Sequence, residues 1–178
     1  MKYLEFKENV KTGDTVAVYR FPHSDLLGLI VKMVTGDSRV HTAFAFTQED
    51  NVFLAEMDGK KNVIVPLSQY SNAKLEVYSP PVQATHHEFR SAMWELLGER
   101  RDYSWSDIFW LGFSIVFRTM RWAPKVENVG SMTCTEFNEH IYRKLGWQPP
   151  FGGYVAWPSK FCDALGAPKA VYDPAEDS

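Results

Sequence analysis

The feature that most constrains the fold is a series of short segments with β-strand character between residues 40 and 79. Segments 40–46, 51–57, 61–67 and 74–79 are rich in β-branched and aromatic residues, and polar turns separate them. Strands joined by such short turns pair with antiparallel neighbours, because a parallel pair needs a long crossover connection. We therefore predict an antiparallel sheet, to which "GDTVAVYRF" (13–21) adds a further strand.

Most of the helical patterns come after these strands. Thr85 and Glu88 have the spacing of a capping box, which begins a helix. Helices that follow a run of strands pack on one side of the sheet, so we predict an α+β fold. The 178 residues are expected to form one domain, 1–178, with a poorly ordered tail over about 168–178. The predicted helices cover residues 24–36, 85–99, 105–120, 133–146 and 159–166.

Composition and charge argue against several classes of function. The formal net charge of −3 argues against a nucleic-acid partner, since nucleic-acid binding depends on clustered Lys and Arg. The opening residues "MKYLEFKENV" carry charges where a secretion signal needs an apolar run. The apolar segment 108–117 is too short to span a bilayer, so no transmembrane span is expected. Three interpretations of 105–117 stay open: a lid, a contact with the membrane surface, or core.

A cysteine stands at the predicted start of a helix in "SMTCTEFNEH" (131–140). Thr133 and Glu136 have capping-box spacing, which makes Thr133 the N-cap and Cys134 the first helical residue. The positive end of the helix dipole favours a thiolate there, and the unpaired backbone N–H groups can hold an oxyanion. Cys134 is therefore a candidate nucleophile. The alternative is a small buried hydrophobe, which is the usual role of a free cysteine.

A histidine lies within the strand-like segment "SRVHTAFAF" (38–46). By alternation the bulky residues of this strand share one face, and His41 lies on the other face with only alanines beside it. That arrangement leaves room for another element or a substrate. If Phe46 pairs with Asn51 across a four-residue turn, Glu56 lies opposite His41 and can orient its imidazole. The alternative for His41 is a hydrogen-bonded structural histidine.

The second cysteine, Cys162, lies inside a short predicted helix without the advantage of a helix start, and we predict a structural role for it. Two cysteines fit a reducing compartment, although a Cys134–Cys162 disulfide in a redox protein stays open as an alternative.

Several motifs together resemble one known family. These are "GDTVAVYRF", "KMVTGDSRVHTAFAF", "FLAEM", "VPLSQY", "LLGERRDYSW" and "MTCTEF", which span about residues 13–165. They resemble the YiiX-like, circularly permuted branch of the NlpC superfamily of papain-fold cysteine hydrolases. In that branch the catalytic histidine precedes the cysteine along the chain. The chain departs from the family's pattern at Met132–Thr133, at Thr135 and in the position of Asp102 before Tyr103.

The resemblance implies a permuted papain-like fold and a catalytic set in which Cys134 is the nucleophile, His41 the general base and Glu56 the orienting residue. It also implies that Tyr103 lines the site, and Thr133 is a further candidate substrate-binding residue. No metal or organic cofactor is needed for such chemistry.

The family offers two substrate classes, the peptide amides of cell-wall muropeptides and the acyl groups of lipids. The alternative from another functional class is a papain-fold interaction module, which binds a partner without cleaving it. We expect a cytoplasmic protein, or one delivered with a phage or virion.

Overall fold

The computed structural model describes residues 1–19, 32, 36, 38–58, 61–99, 102–103 and 131–177. Within these residues the protein has an α+β fold with four α-helices and two short 3₁₀ helices, Leu67–Tyr70 and Pro174–Glu176. The α-helices are α1 (Tyr3–Asn9), α2 (His86–Gly98), α3 (Cys134–Lys144) and α4 (Pro158–Leu165). The strands are β1 (Thr15–Val18), β2 (His41–Gln48), β3 (Asn51–Met57), β4 (Asn62–Pro66), β5 (Leu75–Tyr78), β6 (Asp102–Tyr103), β7 (Ser131–Met132) and β8 (Ala170–Tyr172).

The main sheet has six strands in the spatial order β4–β3–β2–β1–β5–β8. Every neighbouring pair is antiparallel, which confirms the predicted type of sheet. The predicted helices over 85–99, 133–146 and 159–166 are also confirmed. The predicted helix over 105–120 lies outside the described residues, as does the helix over 24–36 except for Lys32 and Gly36.

The hairpin of β2 and β3 differs from the prediction in its turn. Gln48 pairs with Asn51, so the turn has only two residues, Glu49 and Asp50, where four were expected. Glu49 adopts a positive φ of 53°, as tight hairpin turns require. The register is shifted by two residues, and Glu56 therefore lies opposite Ala43 rather than opposite His41. A shift of two keeps every side chain on its predicted face, because side chains alternate with a period of two.

Apolar residues cover both faces of the sheet. Phe44 and Phe46 pack on one face against α2 and α3, which confirms that the bulky face of β2 is core. The opposite face of β2 was expected to leave room for another element or a substrate, and another element fills it. Ala43 and Ala45 lie there in a second core with Phe6 of α1. Small side chains on β2 allow this close packing, since the space is filled by larger residues from other elements.

A glycine is required where β1 begins. Gly13 has a positive φ of 99°, and a Cβ atom built on it would lie 2.7 Å from the ring of Phe89. Both the backbone conformation and the close approach of α2 therefore exclude a larger residue. Asp14 follows it and is buried, with its carboxylate 2.6 Å from Nζ of Lys169.

The end of the chain belongs to the sheet. The tail over 168–178 was predicted to be poorly ordered, but residues 170–172 form β8 and pair with β5. The ion pair between Lys169 and Asp14 attaches the tail to the start of β1. Sequence patterns missed this strand because three residues are too few for a periodic signal.

Candidate active site

The start of α3 positions Cys134. The side chain of Thr133 accepts a hydrogen bond from the backbone N–H of Glu136 at 3.3 Å, and Glu136 accepts one from the N–H of Thr133 at 2.7 Å. This reciprocal pair is the predicted capping box, and it makes Cys134 the first residue of the helix. The thiol is 3% exposed. The first-turn N–H groups of a helix lack acceptors within the helix, so the backbone beside the thiol offers hydrogen-bond donors.

His41 begins β2, and Glu56 lies near the end of β3 on the neighbouring strand. Their side chains meet diagonally across the two strands, with Nε2 of His41 3.0 Å from Oε2 of Glu56. Both side chains are 0% exposed. A glutamate is long enough to reach a diagonal neighbour on the same face of an antiparallel pair. The structure therefore brings Glu56 to His41 as predicted, although by a different register.

The contact with Glu56 determines the protonation of the imidazole. An ionised carboxylate can only accept hydrogen bonds, so Nε2 of His41 carries a proton. Nδ1 is then the ring nitrogen that can exchange a proton with another group. Burial alone would lower the pKa of His41, but the charges of Glu56 and Cys134 and side-chain hydrogen bonds to both raise it above its ordinary value. The site thus favours the imidazolium form of His41.

A tyrosine that the sequence analysis missed completes the surroundings of Glu56. The hydroxyl of Tyr70, at the end of the first 3₁₀ helix, donates a hydrogen bond to Oε1 of Glu56 at 2.6 Å. Its ring stacks on the imidazole of His41 with centroids 6.4 Å apart. Burial, followed by the charge of Glu56, raises the pKa of Tyr70 far above its ordinary value, so the hydroxyl stays a donor. No local pattern in "LSQY" indicates this contact, since it depends on how the chain turns after β4.

Asn138 joins the helix that begins at Cys134 to the strand that begins at His41. Its Nδ2 donates to the backbone carbonyl of Cys134 at 3.0 Å and to Oγ1 of Thr42 at 3.3 Å. Its Oδ1 accepts from Oγ1 of Thr15 at 3.4 Å. Thr42 is the residue after His41, so Asn138 fixes α3 against β2 beside both Cys134 and His41. A polar residue one helical turn after Cys134 and on the buried side was a signal that the sequence analysis did not use.

The predicted substrate-binding residues have different outcomes. Thr133 serves as the helix cap, and its Oγ1 also lies 3.1 Å from Oγ1 of Thr135. Thr135 in turn donates to the carbonyl of Ala156 at 2.6 Å, which holds the following loop against the helix start. The side chain of Tyr103 lies outside the described residues. The backbone of Tyr103 pairs with Met132 in the two-stranded parallel ribbon of β6 and β7, two residues before Cys134.

Cys162 lies in α4, packed with Ala17 and Tyr78. It is 0% exposed, and burial raises its pKa well above the ordinary value of a thiol. Both cysteines are free thiols in the structure, so the two do not form a disulfide. These properties agree with the structural role predicted for Cys162.

The described part of the chain contains neither a metal-binding cluster nor a membrane-spanning helix. No group of three or more His, Cys, Asp and Glu side chains there is placed to hold a metal ion. None of the helices in the same residues combines the length and the apolar character needed to cross a membrane. The segment 105–117, for which a membrane-surface contact was considered, lies outside them.

Comparisons with known proteins do not assign the chain to a family. No protein-family model matches it, and no curated protein matches it significantly.

Proposed function

We propose that the protein is a cysteine hydrolase that cleaves an amide through a thioester intermediate. The observation that carries the proposal is the buried chain of contacts from Cys134 to His41 to Glu56. A nucleophile, a base and a group that orients the base are the three parts that nucleophilic acyl transfer requires. The order of the residues, with histidine on a strand before cysteine at a helix start, resembles permuted papain-fold hydrolases, and we propose that fold for the chain.

The first half of the reaction forms the acyl-enzyme. The thiolate of Cys134 attacks the carbonyl carbon of the substrate, and the carbonyl π electrons move to the oxygen. Backbone N–H groups at the start of α3 donate to this oxyanion, supported by the positive end of the helix dipole. When the oxyanion collapses, the carbon–nitrogen bond breaks, and the imidazolium of His41 gives its Nδ1 proton to the leaving amine.

The second half regenerates the enzyme. Neutral His41 accepts a proton from water at Nδ1 while the water oxygen attacks the thioester carbon. The carbon–sulfur bond breaks, the acid is released, and Cys134 leaves as the thiolate beside the imidazolium. Glu56 keeps its hydrogen bond to Nε2 in both halves, which holds the ring in one orientation and stabilises its positive charge.

Two substrate classes are compatible with this chemistry. We propose a peptide amide of the muropeptide type as the first. An acyl ester or amide of a lipid is the second, and the apolar sequence of 105–117 favours it. The same catalytic residues serve both classes because each presents a carbonyl carbon to the thiolate. A papain-fold module that binds without cutting is the rival from another class.

Alkylation of the folded protein with iodoacetamide tests the chemistry without a known substrate. Cys134 and Cys162 are resolved by peptide mass, so Cys162 serves as an internal control. We expect Cys134 to react at least about tenfold faster than Cys162 at neutral pH, because thiolates and not thiols are nucleophilic. His41→Ala should abolish most of this advantage while Cys162 stays unchanged. Equal, slow alkylation of both cysteines in the folded wild type would overturn the proposal and favour the binding module.

Screening of muropeptides and phospholipids then separates the two substrate classes. Cys134→Ser and His41→Ala should each lower turnover of the true substrate by at least about a thousandfold, which is the scale for loss of a triad member. Cys134→Ser should retain the melting temperature of the wild type to within a few degrees. His41→Ala should melt lower, because the buried Glu56 carboxylate loses a donor, so its turnover is measured at a temperature where it remains folded. Unchanged turnover in Cys134→Ser would show that another residue performs the attack.

A further inference from the structure

Glu56 accepts hydrogen bonds at both ends of its carboxylate. Oε2 faces Nε2 of His41 at 3.0 Å, and Oε1 faces the hydroxyl of Tyr70 at 2.6 Å. All three side chains are at most 3% exposed. A buried carboxylate is costly unless several donors satisfy it, and here the histidine supplies only one of them. Tyr70 therefore supplies a second donor to the Glu56 carboxylate beside His41.

The tyrosine also fixes the geometry of the carboxylate. A glutamate held by one donor can rotate its carboxylate, whereas donors at both oxygens leave one orientation. The ring of Tyr70 stacks on the imidazole at an interplanar angle of 30°, so the same residue restrains His41 from its face.

We propose that Tyr70 is a positioning residue of the active site, which acts on Cys134 through Glu56 and His41. The proposal rests on the proposed function and extends the three-residue set to Cys134, His41, Glu56 and Tyr70. The phenol moves no proton in the reaction. Its hydroxyl proton stays on oxygen, and its effect is to keep the Glu56 carboxylate aimed at Nε2.

The test compares two tyrosine-to-phenylalanine variants. Tyr70→Phe removes the donor to Glu56 and keeps the ring that stacks on His41. Tyr172→Phe is the matched control, because it removes a hydroxyl from the adjacent carbonyl of Ser71 and leaves the Glu56 contact intact. Tyr70→Phe should lower the melting temperature more than Tyr172→Phe, because its lost hydrogen bond goes to a buried carboxylate and that of Tyr172 to a part-buried neutral carbonyl. A purely structural role would confine the difference between the two variants to stability.

Two readouts separate positioning from stability. The first is the rate of Cys134 alkylation by iodoacetamide, which we expect to fall about tenfold in Tyr70→Phe and to stay unchanged in Tyr172→Phe. The second is the downfield proton NMR signal of the His41 ring N–H, identified by its absence in His41→Ala. We expect this signal to be sharp in the wild type and Tyr172→Phe, and broadened or lost in Tyr70→Phe, because a freed carboxylate no longer protects the proton from exchange.

A reciprocal measurement does not depend on the folding of Tyr70→Phe. The buried hydroxyl proton of Tyr70 should give its own downfield signal, identified by its absence in Tyr70→Phe, and His41→Ala should move it if Glu56 couples the two residues. The proposal for Tyr70 would be overturned if Tyr70→Phe and Tyr172→Phe had the same alkylation rate or the same His41 signal while wild-type Cys134 is reactive. That outcome would leave the proposed function standing. An unreactive wild-type Cys134 overturns the proposed function instead.

Discussion

Nε2 of His41 lies 3.0 Å from Oε2 of Glu56, with both side chains excluded from solvent. Because Glu56 faces Nε2, the other ring nitrogen is left for proton exchange with the thiol. Glu56 also makes the imidazolium the favoured form, although burial opposes that charge. The pair is therefore part of both the folded core and the proposed catalytic chemistry. A change in its protonation should affect the unfolding free energy as well as the reactivity of Cys134.

The pH dependence of stability should show this pair directly. The pKa of His41 is raised in the folded protein, so its contribution is fully present below the unfolded pKa of about 6.5 and is lost as pH rises through the folded value. We expect the unfolding free energy to fall with pH above about 6.5, by at most about 1.4 kcal/mol per pH unit. Glu56→Gln should flatten this slope.

Urea unfolding between pH 6 and 9.5 measures the effect. The protein with Glu56 and the Glu56→Gln variant are both studied in a Cys134→Ala background, so that no thiol at this position contributes to the pH dependence. The other ionisable groups are the same in both proteins, and their contributions cancel when one stability curve is subtracted from the other. The groups that act on His41 are Glu56 and Cys134, and Glu56 is the larger influence of the two. Parallel curves for the two proteins would rule out a charged His41–Glu56 pair.

The two capping boxes provide a matched comparison. Thr133 caps α3 in a buried position beside Cys134, whereas Thr85 caps α2 with the same hydrogen bonds in an exposed position. Thr133→Ala and Thr85→Ala should each cost about 1 kcal/mol of unfolding free energy. Only Thr133→Ala should also slow alkylation of Cys134, because only that helix start orients the thiol. Thr133→Ser should restore both properties, and a Thr85→Ala protein with slowed alkylation would contradict this expectation.

The stability of the protein and the reactivity of Cys134 should both depend on the polar amide of Asn138. Leucine has a branched side chain with the same number of heavy atoms and no polar group. Asn138→Leu leaves the carbonyl of Cys134 and the hydroxyl of Thr42 without their shared donor inside the protein. We expect a loss of about 2 kcal/mol, measured by urea unfolding, together with slower alkylation of Cys134. Thr15→Val is the control, because it removes only the 3.4 Å contact at the other end of Asn138 and the contact with Tyr142. It should destabilise the protein without slowing alkylation.

The ion pair that attaches the tail should contribute measurably to stability. Lys169→Met leaves the buried carboxylate of Asp14 without its cation, and we expect a loss of about 2 kcal/mol. The side chain of Lys169 is 30% exposed, which keeps the loss below that of a fully buried pair. The loss should shrink at acid pH, where Asp14 is protonated, since burial has already raised its pKa.

A double-mutant cycle with Asp14→Asn isolates this pair. In the Asp14→Asn background, Lys169→Met should cost much less, because there is no charge left to neutralise. An undiminished loss in that background would assign the effect of Lys169 to packing and not to the ion pair.

Sequence patterns predicted the parts of the site that depend on short spacings. The capping boxes at Thr85 and Thr133 join residues three apart, so the residue types at two positions are enough to predict each one. Strand alternation placed His41 and Glu56 on one face, and this survived the wrong hairpin turn because the register error was two residues. An error of one residue would have separated them.

Tertiary structure alone decided the contacts between distant segments. The hydroxyl of Tyr70 reaches Glu56, Asn138 joins Cys134 to Thr42, and Lys169 reaches Asp14 only after the chain has folded. Such contacts depend on the path of turns and on which faces pack, and neither leaves a periodic signal in the residues involved. The sequence by itself therefore determined the candidate nucleophile, base and orienting residue. The fold decided which buried polar groups hold them, because each of those groups needs a partner that only packing brings near.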